Sequence, residues 1–537
     1  MPDARSRAQG RRRPAAGSRQ GDRPGPARNE SAPSAAPAGP ASDDPGVFRA
    51  GESVEVTIED VAQGGWCIAR PAGRPVMFVR HTLPGERVVA RVTEVTSRFA
   101  RADAVEIRTP SADRVPPPCP SARPGGCGGC DWQHASLAAQ RALKAAVVGQ
   151  QLRRLAGIDL EVTVEPLPGD ELAQKAVARE PAENAPGAPS GDADPHSRDS
   201  SGTAGGTTYP ASSHDTPSSP IAASSGTPGL GWRTRVQFAV RRDGVAGLRA
   251  HRSHEVIDIG DCLIAHPAIR ALDIPADDWT GATAVEVAVG SAFFDNAASG
   301  DMRAVQNDAV IVVQEDYPDD RRRGDNRGRG ANRRQPGRPR TRRTLVEGRQ
   351  YLTQYAAGRY WQVSVGGFWQ VHPAAAETLS AAVLAALEPK TGDTVLDLYC
   401  GAGLFAGVIA PLVGGDGAVV GVESDAAAVK DARQNLSEYP WVTVHRADVA
   451  QAFDDGDLPP ARLVVADPPR TGLAREIVDY LTGDSQAVRF GYVSCDPATL
   501  ARDIALLVKG GWSLAGLRAF DAFPMTHHVE CVALLTR

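Results

Sequence analysis

The C-terminal third of this 537-residue chain alternates short apolar segments with segments of helical periodicity. Leu379, Val383 and Leu387 recur every four residues, which is typical of one helix face. Strands separated by helices pair in parallel and are covered on both faces. The sequence therefore predicts an α/β fold for residues 376–537, a doubly wound Rossmann-like sheet that binds its ligands at the carboxyl ends of the strands. The predicted strands cover residues 394–398, 419–423, 442–444, 463–467 and 491–495, and further helices cover 426–436 and 498–508.

Residues 47–108 follow a different pattern, because apolar and polar residues alternate over 54–58, 76–79 and 88–92. Turns at Gly64-Gly65 and Pro84-Gly85 separate these runs. Short alternating strands joined by tight turns predict a small OB-like β-barrel.

Three segments are too biased in composition to bury a core, and we expect them to be disordered: residues 1–46, 168–228 and 318–343. They leave a central α+β domain over 109–375 between the barrel and the C-terminal domain.

The chain has a net charge of −5, but eleven arginines and one acid lie between Arg321 and Arg343. This clustering is compatible with a nucleic-acid partner despite the acidic average. No membrane-length apolar run or secretory signal is recognisable, so we expect a cytoplasmic monomer with no membrane partner.

A Gly-x-Gly turn, Gly401 to Gly403, follows the predicted strand that ends near Asp397. Glu423 ends the next strand, where a carboxylate can accept both hydroxyls of a ribose. Ala406 occupies the place of the third glycine of a dinucleotide fingerprint, which favours S-adenosylmethionine over NAD. A tight turn without a ligand remains the alternative. Asp448 would either face the adenine of the cofactor or be an acidic residue in a surface turn without a ligand.

Three further residues point to a reaction site at the same sheet edge. Asp467 opens an Asp-Pro-Pro-Arg segment after a buried strand, and Cys495 precedes a helix whose dipole favours a thiolate. Glu530 lies among apolar residues, as expected of a general base with a raised pKa. The alternatives are a buried strand cysteine and an exposed strand acid. A thiolate, a methyl donor and a base suit methylation of C5 of uracil, because addition of the thiolate to C6 makes C5 nucleophilic.

Four motifs together resemble the S-adenosylmethionine-dependent RNA uracil-C5 methyltransferases. They lie at residues 397–405, 467–470, 494–503 and 527–530. Arg470 replaces the aromatic residue of amino methyltransferases, and the absence of cysteine from 467–470 disfavours RNA cytosine-C5 enzymes. The resemblance implies Cys495 as nucleophile and Glu530 as base. It also implies a cofactor site formed by Gln370, Tyr399, Glu423, Asp448 and Asp467.

The same resemblance implies that the N-terminal barrel is a TRAM domain and that the partner is RNA. A 23S rRNA substrate is favoured, with a tRNA m5U methyltransferase or a non-catalytic RNA-binding protein as the alternatives. Arg233 and Arg235 alternate on a predicted strand, where both could reach phosphates or simply form a solvated face.

Four cysteines form a candidate metal site: Cys119, Cys127, Cys130 and Cys262. Four thiolates suit either zinc or an iron–sulfur cluster. The resemblance implies a [4Fe–4S] cluster that shapes the RNA site, although two extra residues precede Cys127. A zinc site or a metal-free knot is the alternative.

Overall fold

A computed structural model describes residues 47–170, 228–291, 309–317, 340–456, 458–483 and 485–537. Residues 1–46, and most of the segments 168–228 and 318–343, lie outside the described residues. The boundary at 343 differs from the prediction, because a strand already begins at Arg340. Glu315 pairs with Arg342 in its register, so opposite charges face each other and favour the pairing.

The N-terminal region forms a six-stranded sheet in the order β1-β5-β6-β4-β3-β2. Only the β4–β6 pair is parallel, and alternate residues such as Val56, Met77 and Val88 are buried inside. This arrangement matches the predicted strand pattern. Its strands are β1 (Ser53–Thr57), β2 (Asp60–Ala62), β3 (Trp66–Ala69), β4 (Val76–Arg80), β5 (Arg87–Val95) and β6 (Phe99–Thr109).

Helix α1 (Leu137–Gln151) is capped by Ser136 and continues as a π-helical turn, Leu152–Ala156. Val148 and Leu152 pack into the core of the C-terminal sheet. Strand β7 (Val164–Pro166) then pairs in parallel with an edge strand of that sheet. Part of the predicted central domain is therefore built into the C-terminal domain.

The rest of the central region forms a second six-stranded, antiparallel sheet in the order β10-β9-β8-β11-β12-β13. Trp232, Val236 and Val287 belong to its core. Its elements are β8 (Arg235–Val240), β9 (Ala246–Arg249), β10 (Val256–Ile257), helix α2 (Pro267–Arg270), a 3-10 turn (Ile274–Ala276), β11 (Ala284–Val289), β12 (Ala309–Tyr317) and β13 (Arg340–Glu347). A hairpin of β14 (Tyr351–Ala356) and β15 (Arg359–Ser364) follows.

An eight-stranded sheet organises the C-terminal domain in the order β18-β17-β16-β19-β20-β22-β21-β7. Strands β16 to β20 are parallel, whereas β22 is antiparallel to both of its neighbours. The doubly wound α/β prediction is confirmed. Its strands are β16 (Thr394–Leu398), β17 (Ala418–Glu423), β18 (Val442–Arg446), β19 (Leu463–Ala466), β20 (Arg489–Ser494), β21 (Ser513–Asp521) and β22 (Glu530–Thr536).

Helices cover both faces of this sheet, and two separate apolar cores lie between them. The helices are α3 (Ala375–Leu387), α4 (Leu404–Val413), α5 (Ala426–Asn435), α6 (Val449–Asp454), α7 (Arg475–Thr482) and α8 (Pro497–Lys509). Within the described part of the chain, every helix is too short or too polar to cross a membrane.

Candidate active site

The turn after β16 has the backbone strain expected of a ligand-binding loop. Tyr399, Gly401 and Gly403 all have positive φ angles, of 63°, 55° and 91°. Gly403 is favoured by its positive φ, and a Cβ there would also lie 2.9 Å from the side chain of Leu436, which would have to shift. Glu423, at the end of β17, accepts hydrogen bonds from the Gly401 amide at 3.1 Å and the Asp425 amide at 2.8 Å. Oε1 also accepts from the Ser424 hydroxyl at 3.3 Å, whereas Oε2 keeps a lone pair for a ribose hydroxyl.

Asp397 lies beneath this turn and is fully buried. One carboxyl oxygen accepts a hydrogen bond from the Ala406 amide at 2.7 Å, while the other, Oδ1, is buried without a partner among the described residues. Burial and the charges of Asp467 and Glu423 raise the pKa of Asp397 to about 7. An orphaned carboxyl oxygen in an acidic pocket fits a cationic ligand, and S-adenosylmethionine carries both a sulfonium and an ammonium group.

The remaining predicted cofactor residues occupy different surroundings. Asp448 is exposed and caps α6 by accepting from the Ala450 amide at 3.0 Å. Burial raises the pKa of the Tyr399 phenol, and the charge of Asp448 adds to this effect. Gln370 is buried in the connection between β15 and α3. The next residue, Val371, accepts two hydrogen bonds from Thr234 of the central region, at 2.9 and 2.8 Å.

A cavity of about 180 Å³ lies beside Cys495, where β20 ends and α8 begins. Asp496 caps α8 through the amides of Ala498 and Thr499, and its second oxygen accepts from Gln63 of the N-terminal sheet at 2.9 Å. The β2–β3 turn therefore forms one wall of the cavity. The lining residues are Ala62, Gln63, Gly64, Trp132, Val147, Arg470, Cys495, Asp496, Pro497, His527 and His528.

Cys495 belongs to one electrostatic group with Asp467, Arg470 and Glu530, which come from the ends of three strands. Burial, together with the charges of Glu530 and Asp467, raises the pKa of the Cys495 thiol to about 11, and Arg470 lowers it in part. The helix dipole at the start of α8 favours the thiolate, but in the free protein burial and the two carboxyl groups favour the thiol.

The two carboxyl groups of this set are also held toward their neutral forms. Burial raises the pKa of Asp467 to about 7. Glu530 is only 5% exposed, and burial and Asp467 raise its pKa well above the ordinary value. The prediction of a buried Glu530 with a raised pKa is confirmed, and the exposed alternative is excluded.

The sequence did not predict a series of polar contacts that lies beside Cys495 and Arg470. Asp131 accepts a hydrogen bond from His527 Nδ1 at 2.5 Å, and Arg80 lies 3.6 Å from the other Asp131 oxygen. Burial, with the charges of His527 and Arg470, lowers the pKa of His528 to about 3, so its neutral Nε2 accepts from Arg470 at 3.2 Å. The His527-His528 pair was visible in the sequence, but its partners are far away along the chain.

The four predicted cysteine ligands line one small cavity, together with Arg233 and Gln133. All four are free, and the amide of Gly129 donates to Cys127 Sγ at 3.3 Å. Backbone amides also bond to Cys262, and Arg233 lowers its pKa against the raising effect of burial. Within the described chain, no three His, Cys, Asp or Glu side chains converge closely enough to hold a single metal ion. Amide donors and a guanidinium around four sulfurs nevertheless suit a group with negative charge.

Arg233 and Arg235 are engaged inside the protein rather than forming a solvated face. Arg233 donates to the carbonyl of Arg235 at 2.9 Å and lines the cysteine cavity. Arg235 donates to Gly367 O at 2.5 Å and lies 3.4 Å from Glu286. Arg235 is thus engaged on two sides, whereas Arg233 uses only its Nε in the bond to Arg235.

The doubly wound sheet, its strained Gly-x-Gly turn and the acidic cofactor pocket define a class I S-adenosylmethionine-dependent methyltransferase. Residues 48–105 match the TRAM domain family, and 460–537 match the tRNA (Uracil-5-)-methyltransferase family. Residues 346–459 match the protein-L-isoaspartate(D-aspartate) O-methyltransferase family. The chain belongs to the RNA uracil-C5 methyltransferase family, and it is a S-adenosylmethionine-dependent enzyme that acts on RNA.

Relatives along almost the whole chain support this assignment. An uncharacterized RNA methyltransferase of Streptomyces coelicolor is 43% identical, over 91% of this chain and 94% of its own length. The 23S rRNA (uracil(1939)-C(5))-methyltransferase RlmD of Acidithiobacillus ferrooxidans is 30% identical, over 90% and 97%. The crystal structure of Pyrococcus abyssi tRNA (uracil-54, C5)-methyltransferase with S-adenosyl-L-homocysteine has the same fold, with a TM-score of 0.56 and 20% identity, covering 90% of this chain and all of that one.

Proposed function

We propose that this enzyme methylates C5 of a uridine in 23S rRNA through a covalent adduct with Cys495. The observation that carries the proposal is that Cys495 and Arg470 line the cavity at the carboxyl edge of the sheet and interact electrostatically with the buried Glu530 and Asp467. A nucleophile, a base and a cation are thus available within one site. The similarity to RlmD along 97% of that relative supports 23S rRNA as the substrate.

Tyr399, Glu423, Asp448 and Asp397 are the residues that would hold the cofactor, with Gln370 and Asp467 completing the site. S-adenosylmethionine supplies a methyl group on a positively charged sulfur, which is the electrophile of the reaction. Glu423 would bind the ribose hydroxyls, and the acidic pocket around Asp397 would complement the positive charge.

Cys495 and Glu530 have separate roles in the reaction, as nucleophile and as base. Once deprotonated, Cys495 Sγ adds to C6 of the uracil, and the electron pair of the C5=C6 bond makes C5 nucleophilic. After C5 has been methylated, the Glu530 carboxylate takes the C5 proton. The C–H electron pair then restores the C5=C6 bond, the C6–S bond breaks, and Cys495 leaves as a thiolate. Burial makes an ionised Glu530 a stronger base than an exposed one.

RNA containing 5-fluorouridine tests this mechanism, because fluorine at C5 cannot leave as a proton and the adduct persists. We expect the wild-type protein, S-adenosylmethionine and this RNA to form a complex that survives denaturation. Cys495→Ala should form none, and Glu530→Gln should accumulate the adduct even with ordinary uridine. A Cys495→Ala protein that traps as much RNA as the wild type would contradict the nucleophile assignment.

A tRNA substrate is the second candidate, because residues 460–537 match a family described by tRNA methylation. Transfer of labelled methyl groups to unmodified 23S rRNA and tRNA transcripts distinguishes the two. We expect 23S rRNA to be labelled, and labelling of tRNA alone would contradict that substrate.

We also propose that Cys119, Cys127, Cys130 and Cys262 bind a [4Fe–4S] cluster. Their shared cavity supports this, since each thiolate of a cluster binds a different iron, whereas zinc would require all four sulfurs around one point. Iron and sulfide analysis of anaerobically purified protein should detect about four of each per chain. A stoichiometric zinc content would instead identify a zinc site.

A further inference from the structure

The connection between β21 and β22 contains a strained residue, Met525, five positions before the proposed base, Glu530. Residues 522–529 carry His527 and His528 into the cavity, and Glu530 is the first residue of β22. Within this connection, Met525 has a φ of 69°, in the left-handed region that is costly for residues other than glycine. Met525 is also buried, so this conformation must be held by its surroundings.

Hydrogen bonds from outside the C-terminal strands satisfy both backbone groups of Met525. Its amide donates to Gln140 Oε1 at 2.7 Å, and its carbonyl accepts from the amides of Asp131 and Trp132, each at 3.0 Å. Gln140, on α1, is completely buried. Its Nε2 donates to the carbonyls of Trp132 and Ala135 at 3.1 and 2.9 Å, which fixes its orientation.

The two histidines that follow Met525 in this connection are also held by polar contacts. Asp131 accepts a hydrogen bond from His527, and His528 bonds to Arg470. The same stretch of backbone leads into Glu530, the first residue of β22, whereas Cys495 follows a separate strand, β20. A change at Met525 would therefore reach the base more directly than the nucleophile.

We propose that Gln140 and the amides of Asp131 and Trp132 form a clamp that holds Met525 in its left-handed conformation and thereby positions Glu530 for removal of the C5 proton. Gln140 is then a positioning residue, acting through Met525 rather than touching the substrate. The inference rests on the proposed function, because it concerns the step that Glu530 performs. Since Asp131 and Trp132 follow Cys130 directly, the clamp also joins the cysteine-containing loop to the base.

The competing explanation is that the sheet alone places Glu530. Glu530 pairs with Phe520 in the β21–β22 register, and this pairing could fix the carboxyl group whatever the connection does. The two explanations differ in what happens when the clamp is lost. Only the clamp predicts a defect confined to proton removal.

Gln140→Met removes the clamp's side-chain hydrogen bonds while keeping a similar volume. With ordinary RNA, we expect kcat to fall about tenfold or more, KM for RNA to stay within about twofold, and the covalent adduct to accumulate. With 5-fluorouridine RNA, where no proton is removed, the rate of trapping should stay within about twofold of wild type. Equal losses in trapping and turnover would overturn the proposal, because a general structural defect affects both.

Substitutions at Met525 provide the matched control. In the Gln140→Met background, Met525→Gly and Met525→Ala both remove the long side chain, but only glycine accepts a positive φ without strain. We expect glycine to restore turnover and alanine not to. Equal behaviour of the two double variants would overturn the clamp.

Two further measurements keep the test decisive. If Gln140→Met does not fold, Met525→Val raises the cost of the left-handed backbone without changing Gln140, and the same accumulated adduct is expected. A wild-type protein that never traps 5-fluorouridine RNA would overturn the proposed function and this inference with it. Normal trapping in the wild type, with unchanged turnover in Gln140→Met or Met525→Val, would overturn the clamp alone.

Discussion

Burial raises the pKa of both the Cys495 thiol and the Glu530 carboxyl group, and the positive charge of Arg470 lowers each in part. Burial nevertheless raises the pKa of Cys495 to about 11, so the thiolate is scarce at neutral pH in the free protein. Below this pKa, the thiolate fraction rises about tenfold with each pH unit. Adduct formation in a single turnover should therefore accelerate as the pH rises from neutrality, wherever thiolate formation limits the rate.

Replacing Arg470 tests this assignment directly. Arg470→Gln removes the charge and should raise the pKa of Cys495 further, which slows adduct formation at neutral pH by roughly tenfold per unit of pKa change. Arg470→Lys keeps the charge and should retain most of the rate. The measurement is the pH profile of trapping with 5-fluorouridine RNA. An unchanged profile in Arg470→Gln would show that another group controls the thiol.

Asp397 gives a prediction about stability, because burial and the charges of Asp467 and Glu423 raise its pKa to about 7. Its folded pKa exceeds the ordinary value near 3.9, so the folded state binds more protons than the unfolded state between about pH 4 and 7. The stabilising contribution of the protonated carboxyl group is complete below that window and is lost as the pH rises through it.

Asp397→Asn should therefore stabilise the cofactor-free protein at pH 8 by roughly 4 kcal/mol and have little effect at pH 4. The amide oxygen can still accept from Ala406, so the turn keeps its hydrogen bond. Thermal unfolding at the two pH values measures the difference. The same variant should bind S-adenosylmethionine more weakly, and a gain in stability at pH 4 that equals the gain at pH 8 would contradict the ionisation argument.

Helix α1 is joined to the C-terminal sheet by an ion pair that has almost no access to water. Lys144, which is 0% exposed, bonds to Asp521 and also donates to Phe523 O at 3.0 Å. Removing one partner of a buried pair leaves the other charge uncompensated, at a cost of about 3–5 kcal/mol. Lys144→Met should lower the free energy of unfolding by this amount in chemical denaturation.

The double variant Lys144→Met/Asp521→Asn is the control for this pair. Because it also removes the orphaned charge, we expect it to recover most of the lost stability. A double variant as unstable as Lys144→Met would show that the lysine contributes by packing along its methylene chain rather than by pairing with Asp521.

The strands and helices of the C-terminal domain were predictable because the pattern of each short sequence segment specifies its own secondary structure. The apolar run 394–398 coincides with β16, and helix α5 ends within one residue of its predicted end. The grouping of Asp467 and Cys495 at one edge was also predictable, since parallel strands bring their carboxyl ends together.

What sequence reasoning missed depends on contacts between distant residues. Gln63 meets Asp496 across 433 positions, and Asp131 meets His527 across 396. No local pattern encodes such a contact. The raised pKa of Cys495 was not predictable for the same reason, since it depends on burial and on carboxyl groups from other strands.

At the scale of the whole molecule, the candidate active site draws on all three regions. The N-terminal sheet contributes Gln63, and the C-terminal sheet contributes Cys495. The central region contributes Asp131 and Gln140, which bond to the connection that leads into Glu530. Strand β7 also extends the C-terminal sheet from within the central region. The three regions are therefore in contact around the candidate site.

The arginine-rich stretch from 321 to 339, which lies outside the described residues, leads to a prediction about RNA affinity. It contains eight arginines and one acid, whereas the chain as a whole is negative. Each RNA phosphate neutralised by an arginine releases counterions and contributes roughly 0.7 to the salt dependence of binding to single strands. We expect replacement of these arginines by serine to weaken RNA binding at low salt and to reduce the slope of log K against log salt.

The effect on catalysis shows whether the arginine-rich stretch only helps to bind RNA or also contributes to the active site around Cys495. At saturating RNA, kcat should stay close to wild type, because the residues around Cys495 are unchanged, while KM for RNA should rise at low salt. Replacing the eight arginines of residues 1–46 in the same way is the matched control, because five acids already offset much of that segment's charge. Its smaller net charge should give a smaller change in slope. If both variants keep the wild-type slope of log K against log salt, arginines on the folded surface neutralise the phosphates instead. Replacing one of those arginines should then weaken RNA binding. Arg252, which lies 5.9 Å from the ring of Trp66, is one of them.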